Sequence, residues 1–256
     1  DVQRSVIFAR MRASHDSAHQ DLSTKFGATP EEMPELLTAI RSAGAEPALA
    51  FNVGTGVMRP EAYTESLQRA RDILGQVPFK VRLLDIGGGF PRSYPDYRAP
   101  PLNEYFSAID DIRPQLPLKD NAELLAEPGR ALSAPGMSTL AKVLLRKGDR
   151  LYLNDGMYGA FWELRFRAHL KYPARSYRGH AVLEGARKQF RLFGPSCDSA
   201  DEMPAPVELP ADIEVGDYIE FGSMGAYSLS GRTSFNGFFS DDIAMIEAAD
   251  SLPPTA

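Results

Sequence analysis

The sequence is short of several things. It has one cysteine, Cys197, among 256 residues. A single thiol excludes an intrachain disulfide and suits a reducing compartment, so a cytoplasmic protein is expected. No apolar run approaches the roughly 20 residues that a membrane-crossing helix needs, so no membrane partner is expected. The opening stretch DVQRSVIFARMR has too short an apolar segment for a signal peptide. No basic block stands out against a net charge of −6, which argues against a nucleic-acid partner. The four histidines, His15, His19, His169 and His180, lack metal-ligand spacing, so no metal is expected. Serine-based hydrolysis has no G-x-S-x-G elbow behind it. Internal repeats and low-complexity tracts are absent, and the closing SLPPTA reads as a frayed end.

What is present is ordinary globular composition, 43% hydrophobic and 24% charged, written in two rhythms. Residues 1–130 alternate strand and helix. Strands are predicted over 6–12, 47–53, 81–86 and 123–127, and helices over 29–44, 60–75 and 103–112. The first helix has Thr29 as N-cap, Pro30 at its first position, Glu32 completing a capping box and Gly44 as its stop. Strand–helix–strand repeats of this length mean parallel strands with crossover helices. Residues 131–256 change pattern. Strand-like segments at 142–155, 180–194 and 217–228, joined by Gly/Asp turns, predict a mostly antiparallel β domain. Four strands are too few for a closed (β/α)8 barrel, which needs eight and about 250 residues. The first part is thus either a small open sheet or the later part of a barrel, and a start on a strand at residue 6 favours the barrel.

Residues 83–91 read LLDIGGGFP. Three glycines at the C-terminal end of a parallel strand lie where such folds bind ligands. Their bare amides suit an anion cradle; the alternative is a loop passing tightly under a neighbour. AEPGR (126–130) ends the fourth strand at the same rim. Arg130 is able to fork a phosphate, and a carboxylate such as Glu127 keeps a pyridine nitrogen protonated. Phosphate plus pyridinium points to pyridoxal 5'-phosphate.

Beyond these, LSTKFG (22–27), FNVGTG (51–56), DIGGGFP (85–91), EPGR (127–130), NDGMYGAF (154–161), GPSCDSADE (194–202), GAYS (225–228) and FNGF (235–238) occur in one order. In that order they resemble the fold-type III pyridoxal-phosphate decarboxylases of ornithine, lysine, arginine and diaminopimelate, closest to the bacterial ornithine/lysine branch. The resemblance implies an α/β fold: a (β/α)8 TIM-like barrel, of which residues 1–130 are a part, followed by a β domain over 131–256. It implies that Gly87, Gly88 and Gly89 offer amides to the cofactor phosphate with Arg130 beside them, and that Glu127 pairs with the pyridine nitrogen. Arg10 fits near the cofactor ring, Asn52 and Thr55 stand at cofactor positions, and Tyr227 reaches the phosphate region. Cys197 and Asp198 resemble a pair donated across a homodimer interface, the thiol directing protonation and the carboxylate holding a substrate's distal amine. Phe235 lines the pocket near Tyr227. Lys25 and Asp201 fit an ion pair between subunits. The implied reaction is decarboxylation of ornithine or lysine to its diamine, in polyamine biosynthesis. The alternatives are a non-catalytic binding or regulatory homologue and a diaminopimelate decarboxylase-like enzyme.

The chain departs from the family pattern in three places. Its lysines, Lys25, Lys80, Lys119, Lys142, Lys147, Lys171 and Lys188, include none in the Y-A-x-K type motif that carries the family's Schiff-base lysine. The expectation is a piece of a longer chain, because a half-barrel leaves strand edges and apolar surface bare; a true truncation is the alternative. Asn52 stands where the family has a histidine that stacks on the pyridine. Arg167 stands where ornithine decarboxylases grip the distal amine with aspartate. Glu163, one turn earlier, is the candidate substitute, and a solvated face over RFRAH (165–169) is the other reading. Trp162 is core or pocket wall.

Overall fold

The computed structural model describes residues 2–246, so the predicted frayed end lies outside the described residues. Two units divide the chain: Asp1–Arg92 with Ala99–Ala131, and Ser93–Arg98 with Leu132–Ala256.

The first unit is a four-stranded parallel sheet in sequence order: β1 (Val6–Arg10), β2 (Glu46–Ala50), β3 (Val81–Asp85) and β4 (Leu118–Leu125). Helices α1 (Met33–Ser42), α2 (Glu61–Leu74) and α3 (Leu102–Ile112) make the crossovers. Each buries one stripe. In α2 the stripe is Ala62, Tyr63, Ser66, Leu67, Ala70, Ile73 and Leu74, the spacing of a 3.6-residue period. The start of α1 corrects the prediction. Residues 30–32 form a turn, so Pro30 lies outside the helix, and Pro34 takes the first turn, where its missing N–H costs nothing. Half of the capping box forms: Glu32 Oε2 accepts the Thr29 N–H at 2.8 Å. The central strands are largely buried and the edge strands are not; Val6, Ile7 and Phe8 of β1 are each more than a third exposed.

An aromatic group ties α2 and α3 to the loops after the strands. Tyr63 stacks on Phe90 with centroids 4.7 Å apart, and Tyr105 meets both rings edge-on. The Tyr63 hydroxyl donates to Gly88 O at 2.9 Å and the Tyr105 hydroxyl to Val57 O at 2.6 Å. Burial pushes the Tyr63 hydroxyl far above the ordinary tyrosine range, so it stays a donor.

The second unit is a seven-stranded sheet. Its strands are β5 (Thr139–Lys147), β6 (Arg150–Leu153), β7 (Ala174–Arg178), β8 (Ala181–Val182), β9 (Arg187–Phe193), β10 (Val207–Pro210) and β11 (Tyr218–Phe221). The spatial order is β10-β9-β6-β5-β11-β7-β8, antiparallel except for β6 with β9. The predicted strand at 142–155 is β5 and β6 about a turn at Gly148, whose φ of +64° suits glycine. That at 180–194 is β8 and β9 about a break containing Gly185. That at 217–228 ends at Phe221. The pattern did not flag β7 and β10. Phe161, Phe190, Leu192, Leu209, Ile219 and Phe221 fill the core.

Removing the buried Tyr105 hydroxyl leaves Val57 O unpaired. Tyr105→Phe is expected to destabilise the first unit by about 1–2 kcal/mol, read as a lower urea midpoint at unchanged slope.

Candidate functional site

Strand register carries four of the predicted cofactor residues, Arg10, Asn52, Gly87 and Glu127, to one rim. Arg10 pairs with Ala50, Ala50 with Asp85, and Asp85 with Leu125. Asn52, Gly87 and Glu127 each stand two residues beyond that row. Lys80 and Lys119 lie at the other end, where Val81 pairs with Leu118. Four residue steps along β3, about 13 Å, separate the two ends.

The glycines are squeezed by backbone. A methyl on Gly88 would lie 2.6 Å from Glu127 O, and one on Gly89 2.5 Å from Gly54 O; one on Gly87 would overlap Phe51 O. Gly87 and Gly89 have φ of +67° and +106°. Glu127 N–H donates to Gly87 O at 2.8 Å, and Val57 N–H to Gly89 O at 2.9 Å. The tight-passage reading therefore holds, and the cradle reading turns on which amides are left over. One predicted donor is taken: Gly87 N–H donates to Asp85 Oδ1 at 2.8 Å. The amides of Gly88 and Gly89 have no hydrogen-bond partner among the described residues. Two amides, not three, are left without a partner.

Around them, Glu127 is exposed and Arg130 is buried, in the short helix α4 (Gly129–Ser133). Asn52 Oδ1 accepts Gly54 N–H at 3.0 Å, so its side chain supports the turn that Gly89 packs on. Thr55 is held through its backbone, with N–H to Gln20 O at 3.1 Å. The Arg10 guanidinium lies 5.1 Å from the Phe26 ring and the Lys25 ammonium 5.0 Å.

In the second unit, Cys197 and Asp198 sit at an exposed corner with Tyr158, Arg165, Phe235 and Asn236. Tyr158 OH donates to Asp198 Oδ2, and Asp198 Oδ1 accepts Ala200 N–H at 2.9 Å. The Ala200 amide first, then the Tyr158 hydroxyl, hold the Asp198 carboxyl below its usual range. Phe235 packs on Tyr158 with centroids 4.4 Å apart, and the Asn236 amide reaches Cys197 Sγ at 3.5 Å. Tyr227 is part-exposed; its carbonyl accepts the Trp162 Nε1–H at 2.9 Å. Trp162 is partly buried, and no side chain fits at Gly231 beside its indole.

Two acids and a base differ from expectation, and a third acid carried none. Glu163 is buried, 3.7 Å from the Arg167 guanidinium, and accepts Tyr227 N–H at 3.1 Å. Its carboxylate is spent inside the protein and does not face a substrate amine. Arg167 is buried too, the exception in an otherwise solvated 165–169. Asp201 is 3% exposed and accepts Met157 N–H at 2.7 Å and Ser196 N–H at 3.0 Å. It fastens two loops of its own unit and is closed to a lysine of another subunit. Asp155, unflagged by the pattern, accepts Gly156 N–H at 2.7 Å and Ala160 N–H at 3.1 Å. Desolvation raises its carboxyl above the usual range.

Two family models match the chain. One described as the pyridoxal binding domain of pyridoxal-dependent decarboxylases covers residues 2–134, and one described as their C-terminal sheet domain covers 133–225. This chain belongs to the pyridoxal-dependent decarboxylase family. Lysine/ornithine decarboxylase of Selenomonas ruminantium is 32% identical over 247 residues, 91% of this chain and 59% of that protein. Antizyme inhibitor 2 of Xenopus laevis is 30% identical over 271 residues, 93% of this chain and 56% of that protein. The solved arginine decarboxylase of Paramecium bursaria Chlorella virus superposes with a TM-score of 0.78 at 28% identity, covering 90% of this chain and 63% of that one. The chain spans about three fifths of the length of the curated relatives it matches.

The four parallel strands and the mostly antiparallel sheet thus correspond to the barrel and sheet parts of a pyridoxal-dependent decarboxylase. That family's cofactor is pyridoxal phosphate, and two unpartnered amides at a strand end are the donor set a phosphate needs. Gly88→Ala is expected to force Glu127 off the rim at a cost of about 1–3 kcal/mol, with faster hydrogen exchange at the Glu127 amide. Asp201→Ala strips one buried and one part-buried amide of their acceptor and is expected to cost about 2–4 kcal/mol in denaturant titration.

Proposed function

We propose that the protein is a pyridoxal-phosphate-dependent decarboxylase of an amino acid with a basic side chain, ornithine or lysine first, releasing the diamine in polyamine synthesis. The observation that carries this is the pair of unpartnered amides at Gly88 and Gly89 beside Glu127, on the rim shared by Arg10 and Asn52. When bound, the cofactor supplies the sink for the electron pair left at Cα as CO2 departs. In this reading Gly88, Gly89 and Arg130 hold the phosphate, with Tyr227 assisting. Glu127 keeps the pyridine nitrogen protonated, and Arg10, Asn52 and Thr55 border the ring. Gly87 serves through its carbonyl, which fixes the Glu127 amide. Cys197 delivers a proton to Cα, Asp198 holds the distal ammonium, and Phe235 walls the corner. The proposed assembly is a cytoplasmic homodimer that shares its sites through Cys197 and Asp198, without the Lys25–Asp201 pair.

Asn52 favours a second reading. Its amide serves a turn and offers no ring to stack on a pyridine, and antizyme inhibitor 2 is among the relatives. That reading is a non-catalytic homologue that keeps binding and loses turnover. A diaminopimelate substrate fits less well, because its distal carboxylate meets the Asp198 carboxylate.

The test is full-length protein with pyridoxal phosphate. The first reading expects a yellow holoprotein that releases labelled CO2 from ornithine or lysine, with kcat about a hundredfold lower in Glu127→Gln while cofactor stays bound. No turnover on ornithine, lysine and arginine removes it in favour of the second.

A further inference from the structure

The RFR segment carries two arginines with different surroundings. Arg167 is buried against Glu163. Arg165 is exposed, and its guanidinium carbon lies 4.7 Å from the centre of the Tyr158 ring. Tyr158 is the residue whose hydroxyl donates to Asp198, and its ring also carries Phe235. The corner read above as a grip for an ammonium therefore already has a cation at its edge. We propose that Arg165 is a specificity-determining residue: its guanidinium takes the cation's place beside Tyr158 and Asp198 and weakens the hold of this corner on a distal ammonium. This rests on the reading of Asp198 as the distal-amine grip.

The electrostatics agree with the geometry. Asp198 has one oxygen on the Ala200 amide and the other on the Tyr158 hydroxyl. The Arg165 charge helps hold the Asp198 carboxyl low, after those two bonds. It also opposes the rise that Asp198 imposes on the Tyr158 hydroxyl. An incoming ammonium thus meets a carboxylate whose lone pairs are partly used and whose charge is partly balanced. Like charges at such range in a part-solvated site cost on the order of 1 kcal/mol, about fivefold in binding. An unbranched monoamine has no distal charge and escapes the penalty. Relative to a site with a neutral residue at 165, discrimination between a diamine and a monoamine is compressed.

The test is calorimetric binding of putrescine, cadaverine and n-butylamine to the full-length, cofactor-loaded protein and its variants. Arg165→Gln is expected to tighten both diamines about three- to tenfold and leave n-butylamine unchanged, while Arg165→Lys keeps the original affinities. Asp198→Asn is expected to abolish the preference for diamines. If Arg165→Gln and Arg165→Leu leave diamine affinity unchanged while Asp198→Asn weakens it, this proposal is overturned and the grip reading stands. If Asp198→Asn changes nothing and diamines bind no better than n-butylamine, the grip reading fails and takes this proposal with it.

Discussion

The first unit depends on how closely three stretches of backbone approach one another just past the strands. Residues 51–54, 87–89 and 127 meet at distances that admit no Cβ on the middle stretch. Hydrogen bonds from Glu127 N–H to Gly87 O and from Val57 N–H to Gly89 O lock the approach. The Tyr63 hydroxyl on Gly88 O extends it to α2. All three glycine carbonyls are engaged, while the Gly88 and Gly89 N–H groups are left without a partner among the described residues. The glycines are thus required by packing, and the two unpartnered amides are a product of that packing.

The second unit solves a related problem with carboxylates. Asp155 and Asp201 each accept two backbone amides, and together they fasten the 155–160 turn to the 194–201 loop. No side chain fits at Gly156 or Gly194 because Asp201 occupies that space. The loop so anchored carries Cys197 and Asp198, and the turn carries Tyr158. Cys197 and Asp198 are thus held from beneath by one buried acid, Asp201, and one partly buried acid, Asp155.

Much of this was legible in the sequence. The strands β1 to β3 and helices α2 and α3 follow from apolar period and from Pro60 and Gly75 at the ends of α2. The rim follows from the strand ends, since register carries Arg10, Asn52, Gly87 and Glu127 to one side. What was not legible has a common cause. The start of β4, Leu118–Asn121, reads as a polar loop because it is an exposed edge. Glu163 reads as a substrate grip, Arg167 as a misplaced or solvated cation and Asp201 as an intersubunit ion-pair partner, and their burial depends on amides and partners that the local pattern does not reveal. The loss of the Gly87 amide was readable: Asp85 stands two residues before it, the spacing at which an aspartate turns back on the main chain. Arg165 looks like one more surface cation until the fold sets it against Tyr158.

Strand β1 lies at one end of the sheet order, with Val6, Ile7 and Phe8 in succession and each partly wetted. Nothing among the described residues blunts it with a proline or a bulge. A second molecule meeting this border finds open ladder groups and greasy side chains together, a template for cross-molecular strand addition. Raising the concentration of this segment is then expected to favour its self-association.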